Sequence, residues 1–328
     1  MSSSSPEIAL IGGGTGSFTL LQELKNVTPN ITAIVNMSDD GGSTGRLREQ
    51  LGVSPPGDLR QCLVALSELP EMRRLFGHRF GEGDLAGHPV GNIVLSALEM
   101  QHGGDIEKAV QVASSMLGIV GDVVPVTLEK HELVMRDGGE VIKGEYEIGH
   151  RLVAYRDAHI ELDPDAEINP RAGAAIRSAD LVVIAPGNMY GSLLPALAVR
   201  GMSGAFKASR ATKIAITNLI NKPGHTDNWH VADHIRELER YVGAGQIDVV
   251  LYNDTLPPPE LLERYAKADE HPVINEEEGF RSATFRAIGA PLVANEIYPQ
   301  DACDTMIQRT QIRHNARAVS DELRKLLQ

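Results

Sequence analysis

The first 37 residues contain a strand, a glycine-rich turn, a helix and a second strand, and this order restricts the fold more than any other feature. EIALIGGG (7–14) is an apolar run that ends in glycines, and GSFTLLQELKN (16–26) carries apolar residues at helical spacing. NITAIVNM (30–37) is a second apolar strand. A strand–helix–strand unit of about 30 residues joins parallel strands through a right-handed crossover. We therefore predict an α/β protein, Rossmann-like and doubly wound, on a mainly parallel sheet.

Strand and helix patterns continue to alternate along the chain, with one interruption. Between residues 119 and 163, apolar and polar residues alternate around the turn RDGGE, which is typical of a small antiparallel sheet. No linker is recognisable, so we predict one domain over residues 1–328 with a β-rich insertion around 119–163. Further strands of the main sheet are predicted within 177–199, 212–220, 247–254 and 291–299.

Composition excludes several classes of function. The 328 residues carry a formal net charge of −13, whereas nucleic acids and anionic membranes are bound by clustered Lys and Arg. We therefore expect no nucleic-acid partner, and no stretch approaches the roughly 20 apolar residues of a membrane span. Cys62 and Cys303 lack the spacing of a disulfide framework or metal site, and the N-terminus lacks signal-peptide features. We expect a cytoplasmic protein.

GGGTGS (12–17) lies between the first strand and the first helix, where phosphate-binding turns occur. Glycine lets the backbone approach an anion closely, and the following helix offers unpaired N–H groups and the positive end of its dipole. Ser17 stands where the dinucleotide fingerprint has its third glycine. The turn indicates phosphate or nucleotide binding, with a simple tight turn as the alternative.

The second strand ends at two adjacent carboxylates, in IVNMSDDGGSTGR (34–46). Asp and Gly are common turn residues, so a structural turn is the simplest interpretation. Adjacent like charges raise each other's pKa, however, and a divalent cation or N–H donors would offset that cost. Asp39 and Asp40 are therefore our candidates for Mg²⁺ binding and, if the protein is an enzyme, for catalysis. Arg46 and Arg48 could pair with a bound anion, with a solvated helix face as the alternative, and Asp58 in PPGD is interpreted as a helix cap.

Polar loops follow two later strands, in APGNMYGS (185–192) and NLINKPGHTD (218–227). Ligands of open parallel sheets bind outside the carboxyl ends of the strands, so these loops are predicted to meet the first two. GHPVGN (87–92) holds His88 close to Asn92 just before a helix, and we weigh a site role for the pair equally against a structural one.

Taken in order, the motifs resemble those of one family, the YvcK-type (GlmR-like) gluconeogenesis factors. These proteins are related to CofD, the 2-phospho-L-lactate transferase of deazaflavin cofactor synthesis. The resemblance covers roughly residues 7–275. The similar segments are GGGTGSFTLLQELK, DDGGSTGRLREQLGVSPPGDLRQCLVAL, GHPVGN, PGNMYGSLLPALAV and NKPGHTDNWHVADHI.

The resemblance implies a CofD-like fold, a nucleotide ligand and a set of contact residues. A UDP-sugar such as UDP-N-acetylglucosamine is the implied ligand, with NAD or GDP as alternatives. The family usually has GPGSLYTS where this chain has APGNMYGS, so the hydroxyl groups offered to the ligand differ. The implied contacts are Gly13, Gly14, Thr15, Gly16, Asn36, Asp39, Asp40, Gly42, Ser43, Asn92, Gly187, Asn188, Tyr190, Asn218, Tyr265 and Arg313.

Two classes of function follow. The first is a non-catalytic regulatory protein that binds a nucleotide-sugar and links carbon metabolism and gluconeogenic growth to cell-envelope synthesis and cell shape, through a protein partner and as a homodimer. The second is a Mg²⁺-dependent, CofD-like transferase that moves a phospholactyl-type group from a nucleotide-activated donor to an acceptor hydroxyl. Few aromatic residues are available for a deazaflavin slot, so we favour the first. An NAD-dependent dehydrogenase ranks third, because the third fingerprint glycine is missing.

Overall fold

The computed structural model describes residues 5–153, 158–275, 280, 283–294 and 312–328. Its main sheet has seven strands in the order β10-β9-β8-β7-β1-β2-β3, and every neighbouring pair is parallel. The fold class predicted from the sequence is therefore confirmed. The strands are β1 Ile8–Gly12, β2 Ile31–Val35, β3 Asp122–Pro125, β7 Leu181–Ile184, β8 Thr212–Ile216, β9 Val249–Asn253 and β10 Arg286–Ala290.

The chain leaves β1 in one direction, through β2 to β3, and later returns to β7 on the other side of β1. The strand order therefore reverses between β1 and β7, and a crevice forms at such a switch point. Every residue of β1 (IALIG) and β7 (LVVI) is buried, as expected for central strands that helices cover on both faces.

Helices cover the sheet in two groups that pack among themselves. One group contains α1, α3 and α13, and the other contains α8, α10 and α11. A π-helical turn, Met189–Leu193, leads into α9. The helices are α1 Gly14–Leu24, α2 Gly42–Leu51, α3 Pro56–Leu66, α4 Pro70–Gly77, α5 Val90–Gln101, α6 Ile106–Leu117, α7 Glu145–His150, α8 Pro170–Ser178, α9 Leu194–Leu197, α10 Met202–Ala208, α11 Val231–Val242, α12 Pro259–Ala266 and α13 Ala316–Leu326.

The antiparallel part of the chain is smaller than the sequence predicts. A three-stranded sheet in the order β5-β4-β6 consists of β4 Glu132–Asp137, β5 Glu140–Lys143 and β6 His159–Asp163. Residues 122–125 instead form β3, the edge strand of the main sheet, because they pair in parallel with β2. Helix α7 lies between β5 and β6 in the sequence.

The predictions for the last strand and for the two cysteines can be checked only in part. The last strand within the described residues is Arg286–Ala290, so the strand predicted at 291–299 is wrong over 291–294, and residues 295–299 lie outside the described residues. Cys62 is buried and free, while Cys303 is also outside them. None of the helices in the described ranges is long and apolar enough to cross a bilayer.

Candidate functional site

The polar loops after β1, β2, β7 and β8 meet at the carboxyl edge of the main sheet. We call this the strand-end site and define it by Gly13–Gly16, Asn36–Ser43, Gly187–Tyr190 and Asn218. Helix α1 begins directly after β1, and α2 begins two residues after Asp40. A Cβ atom on Gly16 would lie 1.9 Å from the Pro186 carbonyl oxygen, so only glycine permits this approach of α1 to the β7 loop.

Asp39 points into the loop that precedes α2. Its Oδ1 accepts the Gly41 N–H at 3.0 Å, and Thr44 also hydrogen-bonds its carboxylate. Burial raises the pKa of Asp39, and the nearby Asp40 charge adds to that rise, while the two hydrogen bonds oppose it. The hydrogen bonds therefore offset only part of the cost of burying the Asp39 charge.

Asp40 points in another direction, towards the antiparallel region. Its Oδ2 accepts the N–H of Glu145 at 2.8 Å, and its Oδ1 accepts that of Tyr146 at 2.7 Å. The N–H groups at the start of α7 therefore offset the charge of Asp40. Arg46, which the sequence offered as an anion partner, donates to the Ala86 carbonyl at 3.4 Å.

Asp58 is a site residue that the sequence analysis missed. It lies in the first turn of α3, but its carboxylate reaches α1, where it accepts the N–H of Gly14. A Cβ atom on Gly13 would lie only 2.1 Å from Asp58 Oδ2. Burial, and next the charge of Asp39, raise the pKa of Asp58 to about 8. Its interpretation as a cap of its own helix was therefore wrong, and PPGD alone gives no sign of the contact with α1.

Glu145 is the second residue that was missed, since it belongs to α7 and not to a strand-end loop. Its half-buried carboxylate lies between two backbone segments: Oε1 is 2.4 Å from where a Cβ atom of Gly191 would be, and Oε2 is 3.7 Å from that of Gly41. Burial, followed by the charges of Asp39 and Asp40, raises the pKa of Glu145 to about 8.

Ser43 and Asn92 belong to a buried hydrogen-bond network. Asn92 Nδ2 donates to Ser43 Oγ at 3.1 Å, and Asn92 Oδ1 accepts from Arg60 Nε at 2.9 Å. Ser43 Oγ and His88 Nδ1 are 2.8 Å apart. His88 and Asn92 are thus brought together, as predicted, and both hold the start of α2.

Amide groups fix the β7 and β8 loops. Gly187 N–H donates to Asn218 Oδ1 at 3.0 Å, and Asn218 Nδ2 donates to the Gly187 carbonyl at 2.9 Å. Asn188 caps the π-helical turn by accepting the Gly191 N–H at 3.3 Å, and Asn36 Nδ2 donates to the Gly191 carbonyl at 3.3 Å. Asn36 thereby ties the end of β2 to the β7 loop.

Tyr265 and Arg313 lie towards the β9–β10 side. The buried Tyr265 hydroxyl accepts the N–H of Ile312 at 3.2 Å. Arg313 follows in the sequence, and its neighbour His314 donates through Nε2 to the carbonyl of Thr217, the first residue after β8. This C-terminal segment therefore borders the strand-end site at Asn218.

Exposure divides the predicted contact residues into two groups. The half-exposed group is accessible to a ligand and comprises Gly14, Thr15, Gly16, Asp39, Asp40, Gly42, Gly187, Asn188, Asn218 and Arg313. The buried group lies behind it and comprises Gly13, Asn36, Ser43, Asn92, Tyr190 and Tyr265. Tyr190, for example, packs edge-on against His225, with ring centroids 5.4 Å apart.

The acidic residues provide a limited fit to a metal ion. Within the described ranges, no three His, Cys, Asp or Glu side chains are grouped so as to hold one. Both Asp40 oxygens already accept N–H groups, so Asp39 and Asp40 are poorly arranged to bind a divalent cation together. Asp39 and Asp58 also accept backbone N–H groups, but the charge of Asp39 raises the pKa of Asp58, and a divalent cation beside the pair would relieve that repulsion. The Mg²⁺ prediction itself stays a prediction.

Cavities also lie elsewhere on the molecule. One of about 550 Å³ lies on the antiparallel sheet, but its charged residues already pair across strands, Arg136 Nε with Glu161 at 2.8 Å and Lys143 with Asp163 at 3.0 Å. Another of about 180 Å³ lies beside the ends of β2 and β3. We place the site at the strand ends because, within the part of the chain that the structure describes, helix N-termini and incompletely compensated carboxylates converge there.

Comparisons with known proteins agree with this fold and these motifs. The family model described as 2-phospho-L-lactate transferase CofD matches residues 8–293. The gluconeogenesis factor of Bacillus subtilis is 36% identical over 98% of this chain and 98% of its own length, and that of Halalkalibacterium halodurans is 34% identical over 96% and 95%. A relative from Nostoc sp. is 41% identical, and the match spans 89% of this chain but 64% of that relative.

A solved structure of a related protein has the same fold. The crystal structure of a Bacillus halodurans protein superimposes with a TM-score of 0.89 at 34% identity, covering 99% of this chain and 100% of the other. Sequence and fold thus agree over nearly the whole length. The chain therefore belongs to the CofD family, among its gluconeogenesis-factor members.

Proposed function

We propose that this protein binds a nucleotide ligand of the UDP-sugar class at the strand-end site, as a regulatory protein without turnover. The observation that supports this most strongly is the convergence of the N-termini of α1 and α2, each preceded by glycine, at the switch point between β1 and β7. Neither N-cap residue supplies a side-chain hydrogen bond, so, apart from the Gly14 N–H that Asp58 accepts, N–H groups of the first turns are left for phosphate oxygens.

The biological role is proposed from the relatives. Because relatives are named gluconeogenesis factor, we propose that ligand occupancy reports carbon supply. The output would act in the cytoplasm on cell-envelope synthesis and cell shape, through a protein partner, with the protein as a homodimer. NAD and GDP are the alternative ligands.

The first test measures thermal stability with UDP-N-acetylglucosamine, UDP-glucose, GDP, GTP and NAD, with and without Mg²⁺. A ligand at ~100 times its Kd stabilises the fold by about 2.7 kcal/mol, which is readily detected. We expect a UDP-sugar to give the largest shift without Mg²⁺. No shift from any of the five nucleotides would refute the proposal.

A matched variant, Thr15→Glu, links that shift to the site. Thr15 is half-exposed in the first turn of α1, where a carboxylate stabilises a helix but competes with a phosphate. We expect T15E to fold at least as stably as the wild type and to lose the ligand shift. A T15E shift equal to the wild-type shift would place binding elsewhere.

A Mg²⁺-dependent transferase is the second candidate, favoured by the mutual repulsion of Asp39 and Asp58. These two side chains would hold the ion, which when bound stabilises charge on a transferring phosphoryl group. A stability shift with GDP or GTP that requires Mg²⁺ and is lost in Asp58→Asn would favour this candidate over the regulatory one.

A further inference from the structure

Helix α7 comes from the antiparallel region, yet both of its ends are bound to loops of the parallel sheet. At its N-terminus, the N–H groups of Glu145 and Tyr146 donate to Asp40, in the loop after β2. At its C-terminal end, His225 Nε2 lies 3.0 Å from the carbonyl oxygens of both Ile148 and Arg151.

Lys222 adds a third attachment. Its Nζ donates to the Gly149 carbonyl at 2.7 Å, and Lys222 and His225 both belong to the loop after β8. Isolated helices shorter than ~12 residues are marginal in water, so a six-residue helix such as α7 depends on these anchors. The loops of the strand-end site therefore fix the position of Glu145.

The carboxylate of Glu145 differs from the other acids of the site. Asp39, Asp40 and Asp58 each accept at least one backbone N–H group. For Glu145, by contrast, the described residues supply neither a hydrogen-bond donor nor an ion pair to the carboxylate; Lys222 is directed to Gly149 instead. A half-buried acceptor without a donor costs free energy that a bound donor would recover.

The surroundings of Glu145 indicate which donor that would be. Its oxygens lie beside Gly41, at the start of α2, and Gly191, in the π-helical turn, so it borders the proposed phosphate position. Sugar hydroxyl groups can donate to the carboxyl oxygens of Glu145 whether or not it is protonated, whereas an ionised phosphate can only accept and would bind Glu145 only in its protonated form. In a nucleotide-sugar, the sugar is attached to the phosphates, so its hydroxyl groups would fall within reach of the Glu145 carboxyl group.

We infer that Glu145 is a specificity-determining residue that accepts hydrogen bonds from sugar hydroxyl groups of the ligand. The inference rests on the proposed function and deepens it, because it assigns the ligand's sugar to the wall formed by α7. Phosphates would bind at the α1 and α2 N-termini, and α7 would distinguish ligands by the hydroxyls they carry.

The test compares Glu145→Gln with Glu147→Gln, the same substitution two residues later at an exposed position of α7. Isothermal titration calorimetry at pH ~9, where Glu145 is mostly ionised, measures the Kd for UDP-N-acetylglucosamine. We expect E145Q to bind at least 10-fold more weakly, which corresponds to about 1.4 kcal/mol, and E147Q to bind as the wild type does. Equal or tighter binding by E145Q would overturn the inference.

A second measurement separates a hydroxyl contact from a general loosening of α7. Analogues of the ligand that each lack one sugar hydroxyl are titrated into the wild type and E145Q. At least one analogue should bind the wild type more weakly than the parent ligand but bind E145Q as the parent does, because the deleted partner is already absent. If every analogue loses the same factor in both proteins, Glu145 is not the acceptor.

The outcomes also separate this inference from the proposed function. A wild-type protein that binds none of the nucleotides overturns both. A wild-type protein that binds UDP-N-acetylglucosamine while E145Q matches it overturns only the role of Glu145.

Discussion

At the scale of single residues, the hydrogen bonds that α7 donates to Asp40 can be tested directly. Asp40→Ala removes both acceptors at the start of α7, so we expect amide hydrogen exchange in residues 145–151 to accelerate and the free energy of unfolding to fall by about 1 kcal/mol, as for other lost caps. Hydrogen-exchange mass spectrometry of the free protein measures this. Unchanged exchange in α7 would show that Asp40 does not hold the helix.

Asn92 allows a second test at this scale. It is 2% exposed, so Asn92→Ala should act through stability, since Ser43 and Arg60 each lose a buried partner. We expect a loss of about 1–3 kcal/mol in chemical denaturation, and no loss for the exposed control Asn26→Ala. The Kd for UDP-N-acetylglucosamine should change by less than about threefold. A large loss of affinity at unchanged stability would instead make Asn92 a ligand contact.

Asp39 and Asp40 show how far residue-level prediction reaches. The position of both acids after a buried strand was enough to place them at the strand-end site. Their directions could not be predicted, because the partner of Asp40 is 105 residues away in α7. Asp58 and Glu145 were missed for the same reason: a carboxylate's environment depends on which backbone the tertiary fold brings to it.

At the scale of elements, the contact of α1 with the β7 loop determines whether the site can form. Gly16→Ala would place a Cβ atom 1.9 Å from the Pro186 carbonyl oxygen, so the loop or the helix must move. We expect a loss of roughly 2–3 kcal/mol in the free energy of unfolding, as for other overpacked sites, together with loss of the nucleotide-induced thermal shift. Thermal denaturation with and without ligand measures both.

The matched control for that substitution is Gly204→Ala in α10. Apart from its chain neighbours and the backbone of its own helix, no heavy atom lies within 4 Å of a Cβ atom built there, and alanine is the better helix former by about 1 kcal/mol. G204A should therefore be neutral or slightly stabilising and should bind ligand normally. Equal effects of G16A and G204A would mean that the approach to Pro186 does not matter.

Elements with strong local patterns were predictable, and edge strands were not. The apolar periodicity of α1 and the buried runs of β1 and β2 follow from the sequence. β3 is only four residues long and lies just before the antiparallel region in the sequence, so only its pairing with β2 assigns it to the main sheet. Nothing in the local sequence of α7 indicates that both of its ends are bound to loops of the parallel sheet.

At the scale of the whole molecule, two sets of buried groups set the pH dependence of stability, with opposite signs. Burial lowers the pKa of His225, His234 and His314 to about 4. Between pH ~4 and ~6.5 the unfolded chain therefore binds more protons than the folded one, and these histidines make stability rise with pH. Above pH ~6.5 they contribute no further change.

The acids of the strand-end site act in the other direction. The pKa of Asp58 and that of Glu145 are raised to about 8, so between pH ~4 and ~8 the folded state holds more protons than the unfolded one. Their effect opposes that of the histidines below pH ~6.5 and is no longer opposed by these histidines above it. The free energy of unfolding should therefore fall as pH rises from ~6.5 to ~8.5, on the order of 2 kcal/mol.

Asp58→Asn tests this assignment. Asparagine still offers an oxygen to the Gly14 N–H but carries no charge, and it also removes one cause of the raised pKa of Glu145. We expect D58N to be more stable than the wild type at pH 8.5, to differ little at pH 5, and to show a shallower loss between pH 6.5 and 8.5. The exposed acid Asp84 provides the control Asp84→Asn, which should follow the wild-type profile. Urea denaturation at pH 5, 6.5, 7.5 and 8.5 gives the comparison, and parallel curves for the wild type and D58N would show that the strand-end acids do not limit stability above neutral pH.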